Sequence, residues 1–109
     1  MKVDSLLKAT LETFGVPVSR LFYSGRAKTF FTYQLVVGKD GNYSDDENET
    51  TEYTYRIDLY SKEDYVSLLQ RLKAALKAAG FYGITFDPEV YEQDTGYFHI
   101  PVEIKFMEV

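Results

Sequence analysis

Cysteine is absent from the 109-residue chain, which excludes a disulfide framework, a thiolate metal site and a cysteine nucleophile. Histidine occurs once, which is weak evidence for chemistry. No apolar run approaches the roughly eighteen residues of a membrane-spanning helix. The opening Met1-Lys2-Val3-Asp4-Ser5-Leu6-Leu7 lacks a secretory apolar core, and a cytosolic protein is expected. No nucleophile elbow, glycine-rich phosphate loop or HExxH sequence is found, and no internal repeat or low-complexity tract. What remains is an ordinary globular composition, 45% apolar and 27% charged, in a chain sized for one domain over residues 1–109.

The charge is uneven. Against 12 basic side chains stand 17 acidic ones, a net of −5. Residues 1–39 carry six basic and two acidic groups, residues 40–66 two and nine, and residues 67–109 four and six. The excess is concentrated in Asp40, Asp45, Asp46, Glu47, Glu49 and Glu52, among glycine, asparagine, serine and threonine, which reads as a flexible, solvated loop at about 39–52. The basic residues Arg20, Arg26, Lys28 and Lys39 are too sparse to neutralise phosphates, so tight nucleic-acid binding is not expected.

Periodicity supplies the elements. Val3, Leu6, Leu7, Leu11 and Phe14 keep helical spacing, and Gly15 with Pro17 supplies a stop. Over Thr29 to Val37, Phe31, Tyr33, Leu35 and Val37 share one face at period two; Tyr53, Tyr55, Ile57 and Leu59 do so in a second strand. With the acidic loop between them, these make a long hairpin. Ser61-Lys62-Glu63-Asp64 has capping-box form and predicts a helix start, with the stripe Tyr65, Leu68, Leu69, Leu72, Leu76 and Ala79 and a left-handed C-cap at Gly80. Ile84 to Tyr91 and Tyr97 to Met107 read as a second hairpin, and Pro101 favours an edge or a bulge. The expected fold is α+β in the order α-β-β-α-β-β: a largely antiparallel four-stranded sheet, one apolar side covered by both helices. Whether Val18 to Tyr23 adds a short fifth strand is left open at this level.

Motifs that promise chemistry fail on context. Asp94-Thr95-Gly96 is the aspartic-protease triplet, but Tyr91-Glu92-Gln93 precedes it where an apolar strand end belongs, and a hairpin turn explains it better. Asp40-Gly41-Asn42-Tyr43-Ser44 opens like a calcium loop, then places Asp45 at the sixth position and Thr51 at the twelfth. Asn42-Tyr43-Ser44 and Asn48-Glu49-Thr50 are formal glycosylation sequons in a chain without a secretion signal. His99 lies on the more polar strand face, with Glu103 four residues on and no nucleophile in view; a structural or interface histidine is expected. Ten tyrosines and eight phenylalanines exceed what two helices and one sheet face require. Tyr23, Phe30, Tyr43, Tyr60, Tyr82, Tyr91 and Tyr97 lie outside the apolar stripes and divide between a second packed face and subunit contacts.

One stretch of motifs, taken in order, carries a resemblance. Gly15-Val16-Pro17-Val18 follows a short helix; an aromatic strand and an acidic loop lead to Glu52-Tyr53-Thr54-Tyr55-Arg56-Ile57-Asp58-Leu59-Tyr60-Ser61-Lys62-Glu63-Asp64-Tyr65; then come Ala79-Gly80-Phe81 and Tyr91-Glu92-Gln93-Asp94-Thr95-Gly96-Tyr97-Phe98-His99. These resemble the small tail proteins of long-tailed bacteriophages and prophages of Gram-positive bacteria over most of the chain, departing at Ile100 and in the length of the acidic loop.

The resemblance implies a tail terminator, also called a tail-to-head joining or tail completion protein. It assembles as a ring, commonly of six subunits, on the head-proximal end of the tail tube, stops tube growth and docks the head connector. Expected partners are further copies of the chain as a homohexamer, the tail tube protein and a head connector or completion protein. DNA passes the channel without specific binding. No membrane, cofactor, metal or catalysis is implied, and the protein belongs in the virion tail or, during assembly, in the host cytoplasm. Inward carboxylates suit such a channel, since they repel phosphate. The candidate interaction residues are Asp40, Asp45, Asp46, Glu47, Glu49, Glu52, Tyr60, Tyr91, Tyr97 and His99. Two rivals stand beside this reading: another minor tail or head-completion component and, from a different class, an acidic interaction module such as an inhibitor or DNA mimic.

Overall fold

Eight elements follow one another in the computed structural model, which describes residues 2–40 and 50–108: α1 (Lys2–Glu12), β1 (Val18–Arg20), β2 (Thr29–Asp40), β3 (Thr51–Ser61), α2 (Val66–Ala78), β4 (Tyr82–Phe86), β5 (Val90–Glu92) and β6 (Tyr97–Glu108). The class is α+β. The sheet has six strands rather than four, in the order β1-β2-β3-β6-β4, with β5 also on β6. Every pairing is antiparallel except β1 with β2, where Val18 to Arg20 run parallel to Phe31 to Tyr33 and supply the additional short strand.

Alternation at period two puts Phe31, Tyr33, Tyr55, Ile57, Leu59, Ile100, Val102 and Ile104 on one face. There they meet Val3, Leu7 and Leu11 of α1 and Leu68, Leu72 and Leu76 of α2, all buried. Burying each such side chain contributes about 1.5–3 kcal/mol, so this core is the main support of the fold. Asp4 ties its layers together, accepting from Arg20 Nη1 at 2.6 Å and from Tyr55 Oη at 3.1 Å.

Local details depart from the spacing arguments at four places. The β2 alternation breaks at a bulge between Leu35 and Val37, so Val36 and Val37 are exposed instead of Val37 joining the core; an extra residue in one strand turns the following side chains over. The capping box does not form. Ser61 is held in the sheet between Thr29 and Phe98, its Oγ is shared with Thr29 Oγ1 and the Glu63 N–H, and α2 begins at Val66, whose N–H donates to Asp64 Oδ1. The strand expected over Ile84 to Tyr91 is two strands, because Asp87-Pro88 interrupts it. Pro101 lies in β6, between β3 and β4; its carbonyl accepts from the Asp87 N–H at 2.9 Å, so its missing donor faces the break between β4 and β5, and the ladder to β3 is intact. Gly80, at φ 104°, closes α2 as expected, the Phe81 N–H reaching back to Leu76 O. The β2–β3 ladder continues to Asp40 opposite Thr51, so Lys39, Asp40, Thr51 and Glu52 belong to strands; the molecule is elongated, 51 × 23 × 23 Å.

The buried phenols give the fold an alkaline limit. Burial first, and Asp4 second, push Tyr55 and Tyr33 above their ordinary value of 10.0; burial and then Asp58 do the same for Tyr60. A folded-state pKa above the unfolded one means stability that is fully present below pH 10 and lost as pH rises through the folded value. Denaturant titrations should therefore show stability falling above about pH 10 by up to about 1.4 kcal/mol per pH unit for each such tyrosine. Tyr55→Phe should remove one such contribution to the slope. An unchanged slope in that variant would reject the assignment.

Candidate functional site

The alternation that buries Phe31, Leu59 and Ile100 sends Phe30, Tyr60 and His99 to the helix-free face, and strand register sets them side by side, Phe30 opposite Tyr60 and Tyr60 opposite His99. Their rings stack. Phe30 and Tyr60 are 4.8 Å apart at 13°, Tyr60 and His99 4.3 Å apart at 13°. Tyr23 extends the row at 4.2 Å from Phe30, and Tyr97 closes it edge-on, 5.3 Å from Phe30 and 6.2 Å from Tyr60. Lys62 Nζ stands 4.6 Å over the Tyr97 ring.

At its β6 end the row is fixed by charge. Asp58 Oδ1, nearly buried, lies 2.7 Å from His99 Nε2 and 3.0 Å from Arg56 Nε, and His99 Nδ1 faces Glu92 Oε2 at 3.7 Å. With a carboxylate as acceptor, Nε2 is the protonated nitrogen. Nε2 is thus committed to Asp58 rather than to Glu103, Nδ1 lies near Glu92 without a hydrogen bond to it, and among the described residues neither nitrogen faces a hydroxyl nucleophile.

Residues 21–28 connect β1 to β2 and fold across this face. The loop is clamped at Ala27, whose N–H donates to Tyr23 Oη at 3.1 Å and whose carbonyl accepts from Tyr97 Oη at 2.6 Å. Gly25 passes under the Tyr23 ring, where a Cβ would collide with the phenol, so close approach requires glycine there. Leu21 adopts φ 71°, the left-handed region that costs a bulky residue about 1–2 kcal/mol. Its N–H donates to Tyr33 O, and the Phe22 N–H to Arg20 O. The outcome is a tip on which Leu21 and Phe22 stand 62% and 75% exposed. Between tip and sheet lies a cleft of about 370 Å³, walled by Leu21, Phe22, Tyr23, Phe30, Thr32, Tyr60, Glu92 and Tyr97.

A second surface lies on the helix side at the far end of the sheet. There Val3 and Leu6 of α1 and Phe106 and Met107 of β6 form an apolar groove of about 310 Å³ rimmed by Lys2 and Glu108.

Of the residues singled out by sequence, the fold unites Tyr60, Tyr97 and His99. Tyr91 lies elsewhere: it pairs with Phe98 on the helix side, 4.9 Å ring to ring and half exposed. Glu52 stands on β3 opposite Lys39 and Met107, accepting from Tyr82 Oη, eight residues and about 27 Å along the strand from Tyr60. Asp40 ends β2 beside it, whereas Asp45, Asp46, Glu47 and Glu49, with the rest of the calcium-loop pattern, fall outside the described residues. Asp94-Thr95-Gly96 is a turn, with Gly96 at φ 80°. Among the described residues no cluster of acidic or imidazole groups is arranged to hold a metal, and no helix is long and apolar enough to cross a membrane. Sequence reading passed over Leu21, Phe22 and Asp58. Only the apolar triplet Leu21-Phe22-Tyr23 ahead of Ser24-Gly25 signals the tip.

No family model matches the chain, and no curated protein does. A solved structure matches it: a chain of the "Virion of native gene transfer agent (GTA) particle", at 15% sequence identity and a TM-score of 0.53, over 97% of this chain and 90% of that one. The likeness is one of fold, and it spans the chain from end to end.

Proposed function

We propose that this protein is a structural component of a phage or prophage virion that forms a homohexameric ring at the head-tail junction, ends growth of the tail tube and joins tail to head. The observation that carries the reading is a convergence: the two runs that resemble tail terminators, Glu52 to Tyr65 and Tyr91 to His99, become adjacent strands, and their aromatic residues Tyr60, Tyr97 and His99 form one row. The fold shared with a virion chain supports it. So does the distribution of unpaired edge. A closed ring needs two different surfaces per subunit, and beyond Tyr33 the outer edge of β2 has no partner strand among the described residues, while β4 closes the opposite side of the sheet. The protein works by shape rather than by catalysis, in keeping with a histidine whose two nitrogens both face carboxylates.

In this reading the acidic end of the hairpin, with Asp40, Glu52 and the intervening Asp45, Asp46, Glu47 and Glu49, lines the lumen or an axial face, where it repels DNA in transit. Light scattering on the purified protein should give hexamers at high concentration. An acidic inhibitor or DNA mimic would instead remain small and bind a basic partner. Deleting residues 41–50 should leave a folded monomer and impair ring formation or head joining; normal phage yield from that deletion would reject the lumenal role.

A further inference from the structure

Resting on the ring reading above, we infer that the subunits join edge to edge into a continuous sheet, with β4 of one copy lying antiparallel against the uncovered half of β2 in the next.

The two edges stand open on opposite sides of one sheet. Among the described residues, β1 covers β2 only over Phe31 to Tyr33, so Gln34 to Asp40 have no partner strand on their outer side, and β4 pairs with β6 alone. Backbone groups left this way are satisfied by water or by another strand. Exposed apolar side chains gather at the same two places. Of the nine large ones exposed among the described residues, Leu21, Phe22, Val36 and Val37 lie along β2 or where β1 leaves it. Tyr82, Phe86, Val90 and Tyr91 lie on β4 and β5 at the other edge, which leaves only Val66 elsewhere. Their exposed fractions correspond to roughly 400–500 Å² of apolar surface at each edge, the size of a functional patch and about half of the ~800 Å² each partner buries in a standard interface. Strand backbone and polar flanks supply the rest.

Register selects a second copy as the occupant. β2, β3, β6 and β4 are each antiparallel to the one before, so β4 runs opposite to β2. An identical copy set alongside in the same orientation therefore presents an antiparallel strand. The apolar residues also share levels: Val37, Thr54, Lys105 and Tyr82 form one transverse row, and Tyr33, Ile57, Val102 and Phe86 another, with the Leu21 N–H on Tyr33 O. Without any slide along the strands, Val37 meets Tyr82 of the next copy, and Leu21 and Phe22 meet its Phe86. The Tyr82 hydroxyl stays with Glu52 of its own chain. Each edge carries a bulge at that level, between Leu35 and Val37 and between Tyr82 and Thr85, which deters an arbitrary strand and favours an edge of matching twist.

Pairing like edges, β2 to β2, would cover one edge and leave the other open. One contact between unlike edges covers both, and it closes into a ring when its rotation divides the circle.

A chain without cysteine makes the seam directly testable. In a full-length Val37→Cys, Tyr82→Cys variant the two thiols of one molecule stand three strand spacings apart, about 14 Å, too far to bridge, whereas across the seam they are one spacing apart, about 5 Å. Mild oxidation should give reductant-sensitive covalent oligomers up to ring size on a denaturing gel. Either single variant should stay uncrosslinked, and the two singles mixed should stop at covalent dimers. Val36→Lys with Val37→Lys, at exposed positions, should unfold as wild type does and weaken association at least about thirty-fold by light scattering. This lysine variant decides alone if the cysteine pair disturbs the fold. Given wild-type rings, a folded double variant that does not crosslink, crosslinked dimers from either single variant, or undiminished rings from the lysine variant would each overturn the edge contact while leaving the ring reading intact. A wild type that stays monomeric at high concentration and beside its tail tube would overturn both.

Discussion

Phe30→Ala is expected to cost about 3–4 kcal/mol of folding stability, although Phe30 belongs to the sheet face that carries no helix. It is 7% exposed and sits at the centre of the aromatic row, touching Tyr23, Tyr60 and Tyr97. Truncation removes the transfer free energy of a buried ring and three aromatic pairings at about 0.5–1.5 kcal/mol each, partly recovered as the rings close in. It also removes the floor on which Tyr23 rests, so the loop over residues 21–28 should lose its fixed shape and the Leu21–Phe22 tip with it. Urea unfolding should show the loss, and proteolysis at Arg26 or Lys28 should accelerate. A cost below about 1 kcal/mol would mean that the row is surface ornament rather than a second core.

Asp58→Ala should cost about 2–3 kcal/mol, because it leaves His99 without the acceptor of a charge-assisted hydrogen bond. Arg56, 38% exposed, can return to water; His99, at 15%, cannot. Asp58→Asn keeps an acceptor of the same shape and should cost about 1 kcal/mol or less, so the difference between the two isolates the orphaned imidazole. The near-ultraviolet signal of the Tyr60–His99 stack should weaken in the alanine variant alone. Equal stability of alanine and asparagine variants would show that Asp58 does not position the histidine.

These two expectations also mark where sequence reading stops. The stripes of α1 and α2 and the alternation in β2, β3 and β6 were legible because burial on one face imposes a period, and the helix-side core follows those periods residue by residue until the bulge at Val36. The second cluster was visible only as a surplus of aromatics. Phe30, Tyr60 and His99 are separated by some thirty to forty positions, and nothing local fixes which strand lies beside which. The capping box misled because Ser61-Lys62-Glu63-Asp64 satisfies a local rule while Ser61 is claimed by two neighbouring strands.

By itself, then, the sequence determined the α+β class, the helical and strand faces, the absence of thiol chemistry and the separation of basic from acidic segments, since each follows from residue type and spacing along one chain. The tertiary structure alone decided that β6 enters between β3 and β4, that Tyr23, Phe30, Tyr60, Tyr97 and His99 become one surface, and that Leu21 and Phe22 stand clear of it. The reason is physical: pairing across a sheet is settled by burial and hydrogen bonding between distant segments, and those energies exist only once the segments are brought together.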